Sequence, residues 1–361
     1  MLENIQNKYE DIWKSIIRPP RDTYQIEDLG KKYKKQQNQL IKQNKNRQDI
    51  DLKNPRGHIL KCSYFKSQNQ QIQPCVIYLH GNSSSRFESL DCLKVLIPRN
   101  ISLFSFDFSG CGHSQGKYIS LGWYEREDVQ TVINYLKQTK KVNQISIWGR
   151  SMGAVTSLMY ADRDPRISGI VSDSAFSSLK KLAEELCQQN TKIPSFIVSI
   201  ALQVVKKKIQ EEAQFNIFEI DPLNNHIDKI KSPIFFVAGN QDKFISPNHS
   251  ILLHQKYSNK NKNINFIDAD HNSKRPIYIL EKIGNFFLQC FILEKKNDLN
   301  FYSVIKNDSK QKQQYVQKIK YNNKKNKDNI KNNNNNNSNN NKNNNNNNNI
   351  IQQQQLLLLQ Q

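Results

Sequence analysis

Glycine is scarce in this chain, with 12 in 361 residues, about half the usual share of roughly 7%. Collagen-like and glycine-rich linker designs are thereby excluded, and wherever two glycines fall close together a local steric demand is the first explanation to seek. The six cysteines, Cys62, Cys75, Cys92, Cys111, Cys187 and Cys290, include no C-x-x-C pair. That argues against a zinc framework or a disulfide scaffold and for buried thiols in a reducing compartment. Neither G-x-x-x-x-G-K nor a complete G-x-G-x-x-G occurs, so the phosphate-loop and dinucleotide fingerprints are absent. No apolar run reaches the roughly 18 to 20 residues that cross a bilayer; the nearest, Ile193 to Val205, ends in Lys206, Lys207 and Lys208. Met1 to Trp13 holds no apolar signal core, and the lipidation patterns are missing. The expectation is a cytoplasmic, unprocessed chain.

Positive charge, by contrast, is abundant, at a formal +21. Its placement decides its meaning. Residues 294–361 hold twelve Lys against four acids, and residues 31–47 hold seven Lys or Arg and no acid, so fifteen of the twenty-one charges fall in low-complexity stretches. These basic segments point to peripheral association with an anionic membrane rather than to specific nucleic-acid binding, and they leave the oligomeric state open. Apolar residues make up only 37% and mean hydropathy is -0.75, which also places part of the length outside any core.

Three segments follow: a helix, the Arg18-Pro19-Pro20-Arg21 sequence and a basic linker over residues 1–48; a folded domain over 49–293; and a Lys/Asn/Gln-rich tail over 294–361, expected to be disordered. In the middle segment, short apolar runs alternate with helix-length amphipathic stretches. His58 to Phe65 reads as an edge strand. Cys75–Leu79, Ile101–Phe106, Ile145–Trp148, Ile170–Val171, Ile234–Ala238 and Ile264–Ile267 read as further strands. Leu121–Leu136, Met152–Tyr160 and Pro276–Leu293 read as the helices between them. This alternation predicts an α/β fold with a mainly parallel central sheet flanked by helices. Residues 177–231 are too long for one crossover helix and predict a small helical cap insertion.

The glycines then become informative. Gly149-Arg150-Ser151-Met152-Gly153 stands where the run Ile145–Trp148 ends and a helix begins. A serine on such a strained strand-to-helix turn has its hydroxyl presented outward, and small neighbours let strand and helix approach closely. The plainer alternative is a tight turn leading into an ordinary helix. Two other strand ends bear on the choice. Ile234–Ala238 runs into a polar turn with Asp242, and Ile264–Ile267 into a loop with His271; otherwise these would be a turn-forming Asp and a surface His. Taken together they supply nucleophile, orienting carboxylate and general base, with Asp173 as the substitute acid. The run ending in His80-Gly81-Asn82 places a loop beside them, so the backbone N–H groups of Asn82 and Met152 are the candidate oxyanion donors. His80 itself reads as a structural loop histidine, and Phe106 to Ser114, with Gly110 and Gly112, as support for the site's rim rather than a phosphate loop.

The motifs LHGN (79–82), DFSGCGHS (107–114), GRSMGA (149–154), GNQD (239–242) and DHN (270–272) resemble α/β-hydrolases of the serine aminopeptidase S33-like type. The similarity is nearest to a plant and protist branch that also carries DSAF, here Asp173 to Phe176, and RPPR, here Arg18 to Arg21. It covers about residues 17–293. The resemblance implies the α/β-hydrolase fold, a triad of Ser151, Asp242 and His271, and no metal or organic cofactor. Related branches include monoacylglycerol lipases, depalmitoylating thioesterases and peptidases. The leading expectation is a serine hydrolase of a carboxylic ester or thioester, acting on a small-molecule or lipid acyl substrate through an acyl-enzyme. An S33-type aminopeptidase and a non-catalytic binding protein of the same fold are the alternatives.

Overall fold

A computed structural model of the chain describes residues 10, 12–30, 47–67, 73–190 and 194–295. Its strands are β1 (Arg47–Lys53), β2 (Ile59–Phe65), β3 (Gln73–Leu79), β4 (Ser102–Phe106), β5 (Val142–Arg150), β6 (Ile167–Asp173), β7 (Ile234–Gly239) and β8 (Lys262–Ile267). They form one sheet in the order β1-β2-β4-β3-β5-β6-β7-β8. The first two pairings, β1 with β2 and β2 with β4, are antiparallel, and every later pairing is parallel. The longer helices among the described residues are α1 (Glu125–Gln138), α2 (Met152–Ala161), α3 (Leu179–Asn190), α4 (Ser195–Ala213), α5 (Pro247–Lys256) and α6 (Ile277–Lys295).

The unbroken apolar runs have a simple cause. In β3, Cys75, Ile77 and Leu79 join one buried cluster while Val76 and Tyr78 join the other. Successive side chains thus enter opposite faces, and both faces are covered. One cover comes from α1, whose Val129, Val132, Ile133 and Leu136 lie on a single stripe. The other comes from α6, through Ile279, Leu280, Ile283, Phe286, Phe287, Cys290 and Phe291. The result is a three-layer sandwich with β3 at its centre.

The fold departs from the sequence reading at the margins. The strand read over 58–65 is not the edge: β1 lies outside it, begins at Arg47 inside the supposed linker, and shows only Ile50 and Leu52 to the core. Residues 31–46 and the tail beyond Lys295 lie outside the described residues. The stretch Arg86–Arg99, a run of short helical turns, and helix α5 fill crossovers for which no helix was read. The insertion between β6 and β7 is helical, comprising α3, α4 and three short turns between Ile217 and Lys229.

Asp107 organises the ends of β3 and β4. Its carboxylate accepts from Arg86 N–H at 2.7 Å, His113 N–H at 2.9 Å and Tyr24 O–H at 2.7 Å. The Arg18–Arg21 strap is fastened to the same loop, with the Arg21 guanidinium donating to the carbonyls of Ser114 and Gly116. Gly112 is obligatory here: at φ +43 any Cβ would lie 2.5 Å from the Asp107 carboxyl carbon. The 107–116 glycine loop is therefore rim scaffolding, built around a carboxylate.

Asp128 on α1 is fully buried and accepts from Asn54 Nδ2 at 2.6 Å and from Ser109 N–H at 2.9 Å. Burial pushes its carboxyl up to about 6, partly offset by Arg56. A folded-state value above the ordinary 3.8 means that the folded chain holds this proton more tightly. Stability linked to Asp128 is therefore complete below about pH 4 and is lost as pH rises through about 6, a change on the order of 3 kcal/mol. Urea unfolding of the parent and of Asp128→Asn across pH 4 to 7 checks this: the parent curve carries the fall and the variant lacks it. Parallel curves would refute the assignment.

Candidate active site

The sheet order creates the site. From β3 the chain passes to β4 on one side, then returns past β3 to β5 on the other, and a crevice opens at the carboxyl ends of strands where such a reversal occurs. Gly81 and Asn82 follow β3 there, and Ser151 follows β5.

Ser151 has φ 52 and ψ -119, outside the ordinary regions for a residue with a side chain. Its N–H donates to Asp173 O at 2.8 Å and its carbonyl accepts from Val155 N–H at 3.0 Å, which fixes the turn at both ends. Space explains the flanking glycines. A Cβ on Gly149 would lie 2.2 Å from Gly153 O, and one on Gly153 would lie 2.0 Å from Leu79 O. Strand, helix and the end of β3 are in backbone contact, so no other residue fits without displacing the turn.

The loops after β7 and β8 bring the two remaining residues to Ser151. His271 Nδ1 lies 2.7 Å from Asp242 Oδ2, and His271 Nε2 lies 3.0 Å from Ser151 Oγ. With Asp242 ionised, Nδ1 carries the proton and Nε2 is the acceptor for the serine hydroxyl. Asp242 is buried, and its other oxygen accepts from Phe244 N–H at 3.0 Å and Ile245 N–H at 2.7 Å. Its orientation is thus set by three hydrogen bonds. Ser151 is 8% exposed, enough to be reached from the crevice. Phe244, half exposed, packs its ring 5.1 Å from the His271 ring and makes the approach apolar.

Met152 is the first residue of α2, so its N–H is among those a helix leaves without an internal partner. Asn82 lies in the exposed turn after β3; neighbouring Gly81 N–H is already taken by Glu88 Oε2 at 3.0 Å, whereas no described residue accepts from Asn82 N–H. Gly81 lies beside Ser151, since a Cβ added to Gly81 would come within 3.6 Å of Ser151 Cβ. His80 is confined to scaffolding: Phe108 N–H donates to its Nε2 at 3.1 Å, and its Nδ1–H donates to Gly81 O at 2.7 Å.

The substitute acid, Asp173, is otherwise engaged. Arg275 grips it with Nε and Nη2, each at 2.8 Å. Burial alone would raise its carboxyl, but the guanidinium more than reverses that and holds it below the usual carboxylate range. A second Ser–His–acid grouping also exists. Ser177 Oγ lies 2.8 Å from His249 Nδ1, and His249 Nε2 lies 2.9 Å from Glu185 Oε2. Ser177 and His249 are both buried away from the surface, so this group cannot meet a substrate; it fastens the insertion to α5. Among the described residues no cluster of three or more His, Cys, Asp or Glu could hold a metal ion.

Sequence reasoning passed over Glu88, Arg150 and Arg275, whose side chains tie these loops together. Arg150 stands beside the serine in the motif, but nothing in a single sequence says where its side chain goes.

Strand order, the strained turn at Ser151 and the crevice define an α/β-hydrolase fold. The family described as serine aminopeptidase, S33 matches residues 70–226, which include Asn82, Ser151 and Met152 but stop short of Asp242 and His271. Over those residues the chain is similar to S33-like members of the α/β-hydrolases. It is similar to the uncharacterized protein YqkD of Bacillus subtilis, 27% identical over 50% of this chain and 59% of that protein. It is also similar to protein bem46 of Schizosaccharomyces pombe, 25% identical over 52% of this chain and 58% of that one. The aligned part thus spans less than two thirds of either relative. Among solved structures, an esterase of Pyrococcus furiosus superposes with a TM-score of 0.54 at 23% identity, over 69% of this chain and 91% of that one; this likeness concerns the fold.

Proposed function

We infer that the protein is a serine hydrolase of carboxylic esters or thioesters. The observation that carries this is the continuous hydrogen-bonded line from Asp242 through His271 to Ser151. In this reading Ser151 Oγ attacks the acyl carbon while its proton passes to His271 Nε2. The new oxyanion is met by the N–H groups of Met152 and Asn82, and Asp242 stabilises the imidazolium. His271 then returns the proton to the departing alcohol or thiol, leaving an acyl group on Ser151. Water, activated by the same histidine, hydrolyses it.

Occupied carboxylates favour esters over aminoacyl amides. Glu88, Asp173, Asp242 and Asp270 around the site are committed to Arg150, Arg275, His271 and Ser273 respectively. An aminopeptidase requires an acidic group for the substrate's amino terminus, and none of these four is spare. A panel of p-nitrophenyl esters, acyl thioesters and aminoacyl p-nitroanilides tests this. Turnover of the first two classes should exceed that of the third by at least about a hundredfold in kcat/KM, a discrimination within reach of a missing charged partner. The opposite order would establish the aminopeptidase reading.

A specific surface favours a membrane-borne acyl substrate. Ile197, Ile200 and Val204 on α4 are 44%, 62% and 50% exposed and share one helical face, and Lys207 continues that face one turn on. No described helix is long and apolar enough to cross a membrane. The reading is therefore peripheral docking on an anionic leaflet from the cytoplasmic side, where six free thiols are at home. Vesicle flotation should show the chain with phosphatidylserine-containing vesicles and lost from them in Ile200→Asp; equal recovery of parent and variant would remove the α4 face from the account.

A further inference from the structure

We propose that Arg150 is a positioning residue that holds the oxyanion loop and the His271 loop in register with the nucleophile. The proposal rests on the serine-hydrolase reading above and adds a residue to it. Three segments that must meet within a few tenths of an ångström come from distant parts of the chain: the turn at Gly81 and Asn82, the turn at Ser151 and the loop around His271. One guanidinium joins them. Arg150 Nη1 lies 3.2 Å from Glu88 Oε1, and its Nη2 donates to His271 O at 2.9 Å and to Ser273 O at 3.2 Å. Glu88 in turn accepts from Gly81 N–H at 3.0 Å and from Tyr78 O–H at 2.9 Å, so the first residue of the oxyanion turn hangs from the same ion pair.

The environment suits a fixed tie rather than a casual surface pair. The side chains of Arg150 and Glu88 are 17% and 15% exposed. Burial would weaken the guanidinium's hold on its proton, yet Glu88 and the other anionic neighbours raise it further, so the charge persists. Geometry also explains why arginine is needed. A planar fork can address a carboxylate on one side and two carbonyls on the other, which an ammonium cannot do together. The His271 loop has few other external anchors: Asp270 Oδ1 accepts from Asn272 N–H, Ser273 N–H and Ser273 O–H within the loop, and Arg275 reaches Ser273 O at 2.9 Å from its Asp173 anchorage. Without Arg150, the carbonyl of the general base itself has no holder among the described residues.

Arg150 touches no reacting atom, so its loss should slow chemistry and leave binding alone. Misplacement of the order of 1 Å costs as much as 10²-fold in rate. The test uses the full chain, with active sites counted by fluorophosphonate titration so that misfolded molecules do not enter the rate. For Arg150→Met, kcat per titrated site should fall by about 10- to 100-fold with KM within about twofold. Affinity for an acyl trifluoromethyl ketone, whose hemiketal oxyanion needs the Asn82 and Met152 donors, should fall by the same factor. Arg150→Lys should recover part of the rate. Combining Arg150→Met with Glu88→Gln should be no slower than Arg150→Met alone, because both break one tie. Arg99→Met removes an arginine bonded to Asn285 before the amino end of β4, at the opposite edge of the sheet, and should leave the rate unchanged.

A merely structural Arg150 would lower the melting temperature and the titratable fraction while each titrated site kept its parental rate; that result overturns the proposal, as does a rise in KM at constant kcat or independent, multiplying effects of the two substitutions. If Arg150→Met does not fold, Arg150→Lys and Glu88→Gln carry the same comparison. Ser151→Ala separates the two claims. Activity surviving in Ser151→Ala would sink the hydrolase reading and this one with it, whereas an inactive Ser151→Ala beside a parental Arg150→Met would remove the positioning role only.

Discussion

Ser151→Ala should lower kcat by about 10⁴- to 10⁶-fold on any substrate the protein turns over, with folding intact. Removal of the nucleophile from a hydrogen-bonded triad leaves only binding and the oxyanion donors, and in such units single losses approach the loss of the whole. Folding should survive because, among the described residues, the serine hydroxyl makes no hydrogen bond other than that to His271. The strained φ of 52 is held by the backbone bonds to Asp173 O and from Val155 N–H, which alanine keeps. Steady-state turnover beside a thermal melt checks both halves: a melting temperature within a few degrees of the parent with rate abolished is the expected pair. A rate reduced less than tenfold would mean that another group does the chemistry.

Asp242→Asn should be the next most severe change, with kcat reduced by about 10⁴-fold. The carboxylate's Oδ1 accepts two backbone N–H groups, and its Oδ2 accepts from His271 Nδ1. Asparagine keeps an oxygen for the backbone donors and turns an NH₂ toward Nδ1. The imidazole must then carry its proton on Nε2, facing Ser151, where no acceptor remains for the hydroxyl. The loss is therefore one of tautomer more than of contact. Asp242→Ala, which frees the ring to rotate, should be no more than about tenfold different from Asp242→Asn. Were Asp173→Asn the more damaging variant in kcat, the roles of the two acids would have to be exchanged.

The parts of the site that were legible in the sequence are those where one local demand selects the residue. Gly149 and Gly153 stand out because contact between backbones forbids a side chain. Asp242 and His271 stand out because polar loops follow apolar strands; the sequence favoured Asp242 and kept Asp173 as its substitute, since both follow strands that reach the same edge. What the sequence could not show is that Arg275 engages Asp173, from about a hundred residues away in the chain. The same limit hid the Arg150–Glu88 tie, which exists only because β3 and β5 are neighbours. The edge strand β1 was missed for a different reason. It buries little, so its pattern in RQDIDLK resembles the linker before it. Helix α5 carries only one fully buried leucine, Leu253, and gives no periodic stripe to read.

The most direct test of the central claim is the site of covalent capture. Intact-mass and peptide mass spectrometry of the full chain after fluorophosphonate treatment should find one adduct per molecule, on the peptide that contains Ser151, and none in His271→Ala. An adduct elsewhere, or a chain that hydrolyses esters while Ser151 stays unmodified, would contradict the account.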